Sequence, residues 1–203
     1  MLKIDDLCFA YNEKEIFSHF SFEIKKKEIL CIMGKNGSGK TTLLKILSGL
    51  NYCPSLNCQI DDEYFKQNAL KKMIAYIPAS PEFYDTLSMK EYIIWIGTMW
   101  NMDKNFFEIV KEKLKTMQLT VDINAEISTY SLGMKYKLYF CTFLSLDKPI
   151  LLLDEPFNSL DIDSRKIAID LIKDYIKKTN GYCLFSSHVK DTISQLADKT
   201  IFI

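Results

Sequence analysis

The stretch Gly34-Lys35-Asn36-Gly37-Ser38-Gly39-Lys40-Thr41 constrains this chain more than any other. It follows the apolar run Ile29-Leu30-Cys31-Ile32-Met33. It leads into Thr41 to Ser48, where Leu43, Leu44 and Leu47 keep helical spacing and Gly49 is placed to end the helix. A short continuous apolar run predicts a strand buried on both faces of a parallel sheet. Strand, glycine-rich loop and helix in that order satisfy the phosphate-binding-loop pattern. The residue types follow from the chemistry. Phosphate oxygens need several backbone N–H donors converging at close range, and glycine permits both the curvature and the approach. The helix N-terminus adds partial positive charge. On this reading Asn36, Gly37, Ser38, Gly39, Lys40, Thr41 and Thr42 surround the phosphates of a nucleotide. Lys40 brings a full charge to the β- and γ-phosphates, and the Thr41 hydroxyl is a ligand for Mg²⁺. A dinucleotide loop is excluded, because Gly37-x-Gly39 lacks a third glycine at the required offset.

A second motif stands far downstream. Ile150-Leu151-Leu152-Leu153-Asp154-Glu155-Pro156 is another buried strand, and it ends on two acids. In an open α/β sheet the C-terminal strand edge faces the ligand crevice. Strand alternation sends the two side chains to opposite sides. Asp154 is therefore expected to hold Mg²⁺, and Glu155 to polarise a water for in-line attack on the γ-phosphate.

The rest of the chain is consistent with alternating strands and helices. Leu2 to Phe9 and Ile16 to Ile24 alternate as two strands around a turn at Tyr11-Asn12-Glu13-Lys14. Met73 to Ile77, Tyr182 to Phe185 and Thr200 to Ile203 read as further strands. Ser88 to about Leu119, Tyr130 to Leu146 and Ser164 to Lys178 read as helical. With 203 residues, 48% of them hydrophobic, the chain can bury one substantial core. Its 26 basic and 26 acidic residues cancel, which removes any composition-level argument for a nucleic-acid or membrane-surface protein. No stretch approaches the ~20 apolar residues a membrane span needs, and the acidic N-terminus is no secretory signal. Cys8, Cys31, Cys141 and Cys183 sit in apolar runs, as thiols of a reducing compartment do, and the Cys53/Cys58 spacing is wrong for zinc.

These motifs together resemble the nucleotide-binding subunit of an ATP-binding cassette (ABC) transporter, over essentially the whole chain. Ser159-Leu160-Asp161 resembles the family's D-loop, whose aspartate supports the dimer interface. Phe185-Ser186-Ser187-His188 resembles its H-switch, a histidine that contacts the γ-phosphate and the attacking water. Tyr11 matches the aromatic that stacks on adenine. Tyr130-Ser131-Leu132-Gly133-Met134 stands where the family signature Leu-Ser-Gly-Gly-Gln is expected. There Ser131 and Gly133 would contact the γ-phosphate held by the other subunit. This version is similar to signatures of bacterial drug and antimicrobial-peptide exporters.

The resemblance implies an α/β fold. A P-loop NTPase core with a parallel sheet is joined by a small antiparallel β subdomain and a helical subdomain. Residues 1–203 form one domain, with 1–80 and 143–203 as the core and 81–142 as the helical lobe. It implies ATP and Mg²⁺, a head-to-tail homodimer or heterodimer, a separate transmembrane permease and no nucleic-acid partner. The expected place is the cytoplasm, at the inner membrane face. Trp95, Met99, Trp100 and Met102 are either the permease dock or lobe core. Two other readings stay open: an ATP-binding regulatory module with weak turnover, and a soluble ABC ATPase acting on DNA or ribosomes.

Three departures stand out. In Ile77-Pro78-Ala79-Ser80, Ala79 replaces the Q-loop glutamine, which helps ligate Mg²⁺ and the attacking water; the Ser80 hydroxyl could substitute partly. Lys27 and Cys58 replace turn glycines, so other turn geometries are expected there. Leu132 replaces a glycine of the signature.

Overall fold

The computed structural model describes residues 1–203, the side chain of Lys190 excepted. Five short strands run parallel: β3 (Ile29–Met33), β6 (Ile74–Ile77), β7 (Ile150–Asp154), β8 (Tyr182–Ser186) and β9 (Lys199–Phe202). Their spatial order is β6-β7-β8-β3-β9. β7 and β8 are buried along their whole length, which explains why they read as unbroken apolar runs. Alternate residues feed two separate cores. Cys31, Leu151, Leu153, Cys183 and Phe185 face the helices of one layer. Leu30, Ile32, Ile150, Leu152, Tyr182 and Leu184 face the other layer, with Leu43, Leu44 and Leu47 of α1 (Lys40–Leu47).

A second, antiparallel sheet covers that other layer. It contains β1 (Leu2–Tyr11), β2 (Lys14–Ile24), β4 (Asn57–Ile60) and β5 (Glu63–Phe65), in the order β2-β1-β4-β5. The two long strands extend beyond the ends expected from alternation and meet in a tight turn at Asn12, where φ is 53°. β4 and β5 were not foreseen. Cys58 is extended within β4, opposite Ile4, so no turn is needed there. At Lys27 the expectation of another turn geometry fails. Lys27 itself takes the left-handed conformation, with φ 64°, and its N–H donates to the Gly181 carbonyl at 2.7 Å. The steric cost for a residue with a Cβ is about 1 kcal/mol.

The first helical layer contains α3 (Met89–Met99), α4 (Phe106–Thr116), α5 (Leu132–Leu144) and α6 (Ile162–Thr179). The short α7 (Lys190–Leu196) adds Leu196 to the same layer, α2 (Gln67–Leu70) adds Leu70 to the other, and both carry too little periodicity to be read beforehand. Ser88 and Glu91 close a reciprocal capping box at the start of α3. The helical stretch expected from Ser88 to about Leu119 is two helices. Asn101 turns left-handed at φ 52°, Met102 N–H donates back to the Gly97 carbonyl at 2.8 Å, and Asp103 caps the N–H of Asn105. Trp100 and Met102 pack on the core, while Met99 is 66% exposed. No described helix is long and apolar enough to cross a membrane. All six cysteines are free. Five are buried, including Cys53 and Cys58, but Cys8 is only half-buried, contrary to the expectation from its apolar surroundings.

Candidate functional site

β3, β8 and β7 are adjacent, and all three end at the same edge of the parallel sheet. That brings the loop after β3 and the acids after β7 to one crevice, with the end of β8 between them. A cavity of about 320 Å³ opens there. It is lined by Ile16, Asn36, Gly37, Gly39, Lys40, Thr41, Thr42, Asp154 and Glu155.

The loop needs glycine at two of these positions. Gly37 and Gly39 have φ of 81° and 109°. A Cβ on Gly39 would also stand 2.8 Å from Ile16 and 3.0 Å from Phe17. The hairpin of the antiparallel sheet thus presses directly on the loop. Lys40 is buried, and its ammonium donates to the Gly34 and Lys35 carbonyls at 2.9 and 3.1 Å, bracing the loop from inside. The Ser38 hydroxyl is buried and has no hydrogen-bond partner among the described residues. An unpaired buried hydroxyl costs roughly 1–3 kcal/mol. A phosphate oxygen would satisfy it, so the loop fits the phosphates of a nucleotide.

One polar chain crosses the crevice. The Thr41 hydroxyl donates to Asp154 Oδ2 at 2.8 Å. The Ser186 hydroxyl donates to Asp154 Oδ1 at 2.7 Å and accepts from Glu155 N–H at 2.8 Å. Glu155 Oε1 lies 3.0 Å from His188 Nδ1. A hydroxyl beside a carboxylate is a hard-oxygen donor set, which fits Mg²⁺. Asp154 is 4% exposed, so these bonds replace the water its charge has lost. Glu155 adopts φ 45°, left-handed for a residue with a side chain. Such strain costs of order 1–3 kcal/mol and persists where neighbours hold it. Here the hydrogen bond from its N–H to the Ser186 hydroxyl and the carboxylate contact with His188 do so.

The remaining expected residues lie outside this cavity. Tyr11 ends β1, is 46% exposed, accepts from the Asn51 side-chain amide at 2.5 Å and meets Phe9 edge-on. Ser131 caps α5, its hydroxyl accepting from the Met134 N–H at 3.3 Å. Gly133 follows it, and a Cβ there would come within 3.1 Å of the Ser159 carbonyl. Asp161 caps α6 through two bonds to Ser164, and these hold its carboxyl below the usual range. Ser131, Gly133 and Asp161 therefore cluster apart from this chain's own cavity. Ala79 and Ser80 line no part of the cavity, and Ser80 is exposed.

Sequence reasoning missed three contributors. Ser186 joins the two acids through its register opposite Asp154, which no local pattern reveals. Ile16 presses on Gly39 and lines the cavity. Asn51 holds Tyr11 from across the fold, and no local signal points to it.

Comparison with known proteins bears on this geometry. The family described as "ABC transporter" matches residues 17–158. The cytochrome c biogenesis ATP-binding export protein CcmA of Reclinomonas americana is 32% identical over 188 residues. That alignment covers 92% of this chain and 84% of CcmA. The energy-coupling factor transporter ATP-binding protein EcfA1 of Fusobacterium nucleatum is 31% identical over 180 residues, covering 86% of this chain and 68% of its own. Among solved structures, the ATP-binding cassette MJ0796, a dimer in a post-hydrolysis state with ADP and Pi, superposes with a TM-score of 0.84. It is 20% identical and covers 100% of this chain and 94% of its own, so it shares the fold.

Proposed function

Because the chain belongs to the ABC transporter family of ATP-binding proteins, we propose that it hydrolyses ATP to drive a separate transmembrane permease. The observation that carries this reading is the unbroken chain from the phosphate loop to the water-activating acid: Thr41, Asp154, Ser186, Glu155, His188.

The loop amides and Lys40 bind the triphosphate. Tyr11, steadied by Asn51, offers its ring to the adenine. Thr41 and Asp154 are the residues that would hold Mg²⁺, which when bound offsets the charge of the phosphate oxygens. Glu155 takes a proton from the attacking water as its oxygen approaches the γ-phosphorus, and the β–γ bridge bond breaks toward ADP. His188 keeps the Glu155 carboxylate oriented.

Ser131, Gly133 and Asp161 serve the partner subunit. Leu132 and Ile162, beside them, are 61% and 70% exposed, as suits a surface that closes against a second cassette. Whether that cassette is a second copy or a relative, two ATP molecules lie between a loop and the other subunit's signature. The permease docks on the groove formed by Tyr84, Thr86, Leu87, Glu91, Ile94 and Trp95, with a volume of about 560 Å³. Tyr84 and Trp95 meet there edge-on at 5.3 Å. The protein works at the inner membrane face without nucleic acid. Export is the direction favoured by the Tyr130-to-Met134 signature. Transport by inverted vesicles containing the permease tests that direction.

The deciding experiment on catalysis is Glu155→Gln. Turnover should fall by roughly a hundredfold or more, the lower range for losing a positioned base, and ATP should hold the protein as a dimer in size-exclusion chromatography. Rapid hydrolysis by this variant would remove Glu155 from the role of base. A second reading, an ATP-binding module of weak turnover, is favoured only by Ala79.

A further inference from the structure

A second cluster of chemically capable side chains lies on the antiparallel sheet, separate from the nucleotide crevice. Asp6 and Cys8 belong to β1, and His19 faces them from β2. Their donor atoms, one carboxylate oxygen, one sulfur and one imidazole nitrogen, all lie within 4.8 Å of one another. Asp6 Oδ1 is 2.6 Å from His19 Nδ1, and Cys8 Sγ is 4.0 Å from the same nitrogen. Zinc bonds of 2.0–2.3 Å in a tetrahedron set ligand atoms about 3.3–3.7 Å apart. The cluster brackets that spacing.

The backbone is shaped to make this cluster. The β1–β2 pairing shifts register between Ile4 and Leu7 and again between Leu7 and Phe9. Asp6 and His19 sit at these irregularities with φ of 54° and 53°. The bulge brings three polar side chains to one face while Leu7 between them stays in the core. The His19 N–H donates to Cys8 Sγ at 3.4 Å, so the sulfur already has a donor that would temper a thiolate's charge. Asp6 N–H is fixed by the Ser21 hydroxyl at 2.9 Å. The Asp6 and His19 side chains are 69% and 77% exposed, which leaves an open approach for an ion.

We propose that Asp6, Cys8 and His19 form a binding site for a borderline transition-metal ion, Zn²⁺ in the first instance. The donor set decides the class. Sulfur and imidazole suit zinc and its neighbours, whereas Mg²⁺ asks for oxygen alone. The thiol binds as thiolate and releases its proton to solvent. Three protein ligands leave the fourth position of a tetrahedron for water. Such an ion clamps β1 to β2 within the hairpin that carries Tyr11 and Ile16.

The test uses the full chain without nucleotide and Co²⁺ as probe. One equivalent of Co²⁺ should give a sulfur-to-metal charge-transfer band, Zn²⁺ should abolish it by displacement, and Mg²⁺ should not. Cys8→Ser should remove the band, while His19→Ala and Asp6→Asn should weaken binding more than about tenfold, the lower range for disturbing even an outer partner of a metal ligand. His188→Ala should leave the band intact, which separates this site from the crevice. Because Cys8 is the only cysteine not buried, Zn²⁺ should also protect the folded protein from thiol alkylation. Absence of the band, or a band that survives in Cys8→Ser, overturns the proposal and leaves a surface His–Asp pair beside a thiol. Unchanged alkylation in the presence of Zn²⁺ does the same.

Discussion

Ser186→Ala is the sharpest test of how the crevice is held together. Ser186 is fully buried at the end of β8, and its single oxygen makes two bonds. It donates to Asp154 at 2.7 Å and accepts from the Glu155 amide at 2.8 Å. Alanine leaves Asp154 short of a donor for a buried negative charge, a loss of about 2 kcal/mol. It also strands the Glu155 N–H, for about another 1 kcal/mol. The expected destabilisation is therefore about 3 kcal/mol, or a fall in Tm of roughly 6–12 °C for a chain of this size. Urea unfolding and scanning calorimetry read this directly. A second consequence follows from the backbone. Without the hydroxyl that accepts from its N–H, Glu155 can leave φ 45° and recover part of the left-handed cost. Its carboxylate then no longer points where the water must be. Turnover should drop by about tenfold or more, equivalent to about 1.4 kcal/mol in the barrier, with a smaller change in KM for ATP because the Lys40 contacts that brace the phosphate loop keep their partners. A Tm within about 1 °C of the parent, with unchanged turnover, would refute the bridge as a structural and catalytic element.

Two further outcomes are expected. Ala79→Gln should raise the ATPase rate by roughly fivefold, since one regained hydrogen bond is worth about 1 kcal/mol; an unchanged rate in a phosphate-release assay would mean that ligation lost at position 79 does not limit turnover. Trp95→Ser should weaken binding to the permease more than about tenfold, because a half-exposed tryptophan in a groove is the type of residue that dominates interfaces; equal affinity in a titration against detergent-solubilised permease would move the dock elsewhere.

Much of the crevice is legible in the chain because its parts are local. The phosphate loop is contiguous, and the acids follow a four-residue apolar run that announces its own strand. Ser186 was invisible for a different reason. Its importance depends on β8 lying between β7 and β3, and spatial order is not written in periodicity. The same holds for Asn51, whose contact with Tyr11 crosses from the turn after α1 to the hairpin. β4 and β5 are too short to show a pattern, and the pairing of β4 with β1 is a tertiary event. The break between α3 and α4 was within reach, since Asn101, Asp103 and Asn105 are turn and capping residues. The amphipathic spacing on either side masked them. Cys8 misled because its place in an apolar run was read as burial, whereas the register shifts around Leu7 leave its side chain only half-buried.

The missing Cβ of Gly133 has an implication for how this surface can change over time. With the Ser159 carbonyl only 3.1 Å from where that atom would stand, any side chain at 133 must push the loop that leads to Asp161. The start of α5 therefore lies directly against the loop that leads into α6. A side chain added at 133 is felt first at the Ser159 carbonyl of the same chain. Substitutions at Gly133 and at Ser159 should accordingly be coupled rather than additive in stability.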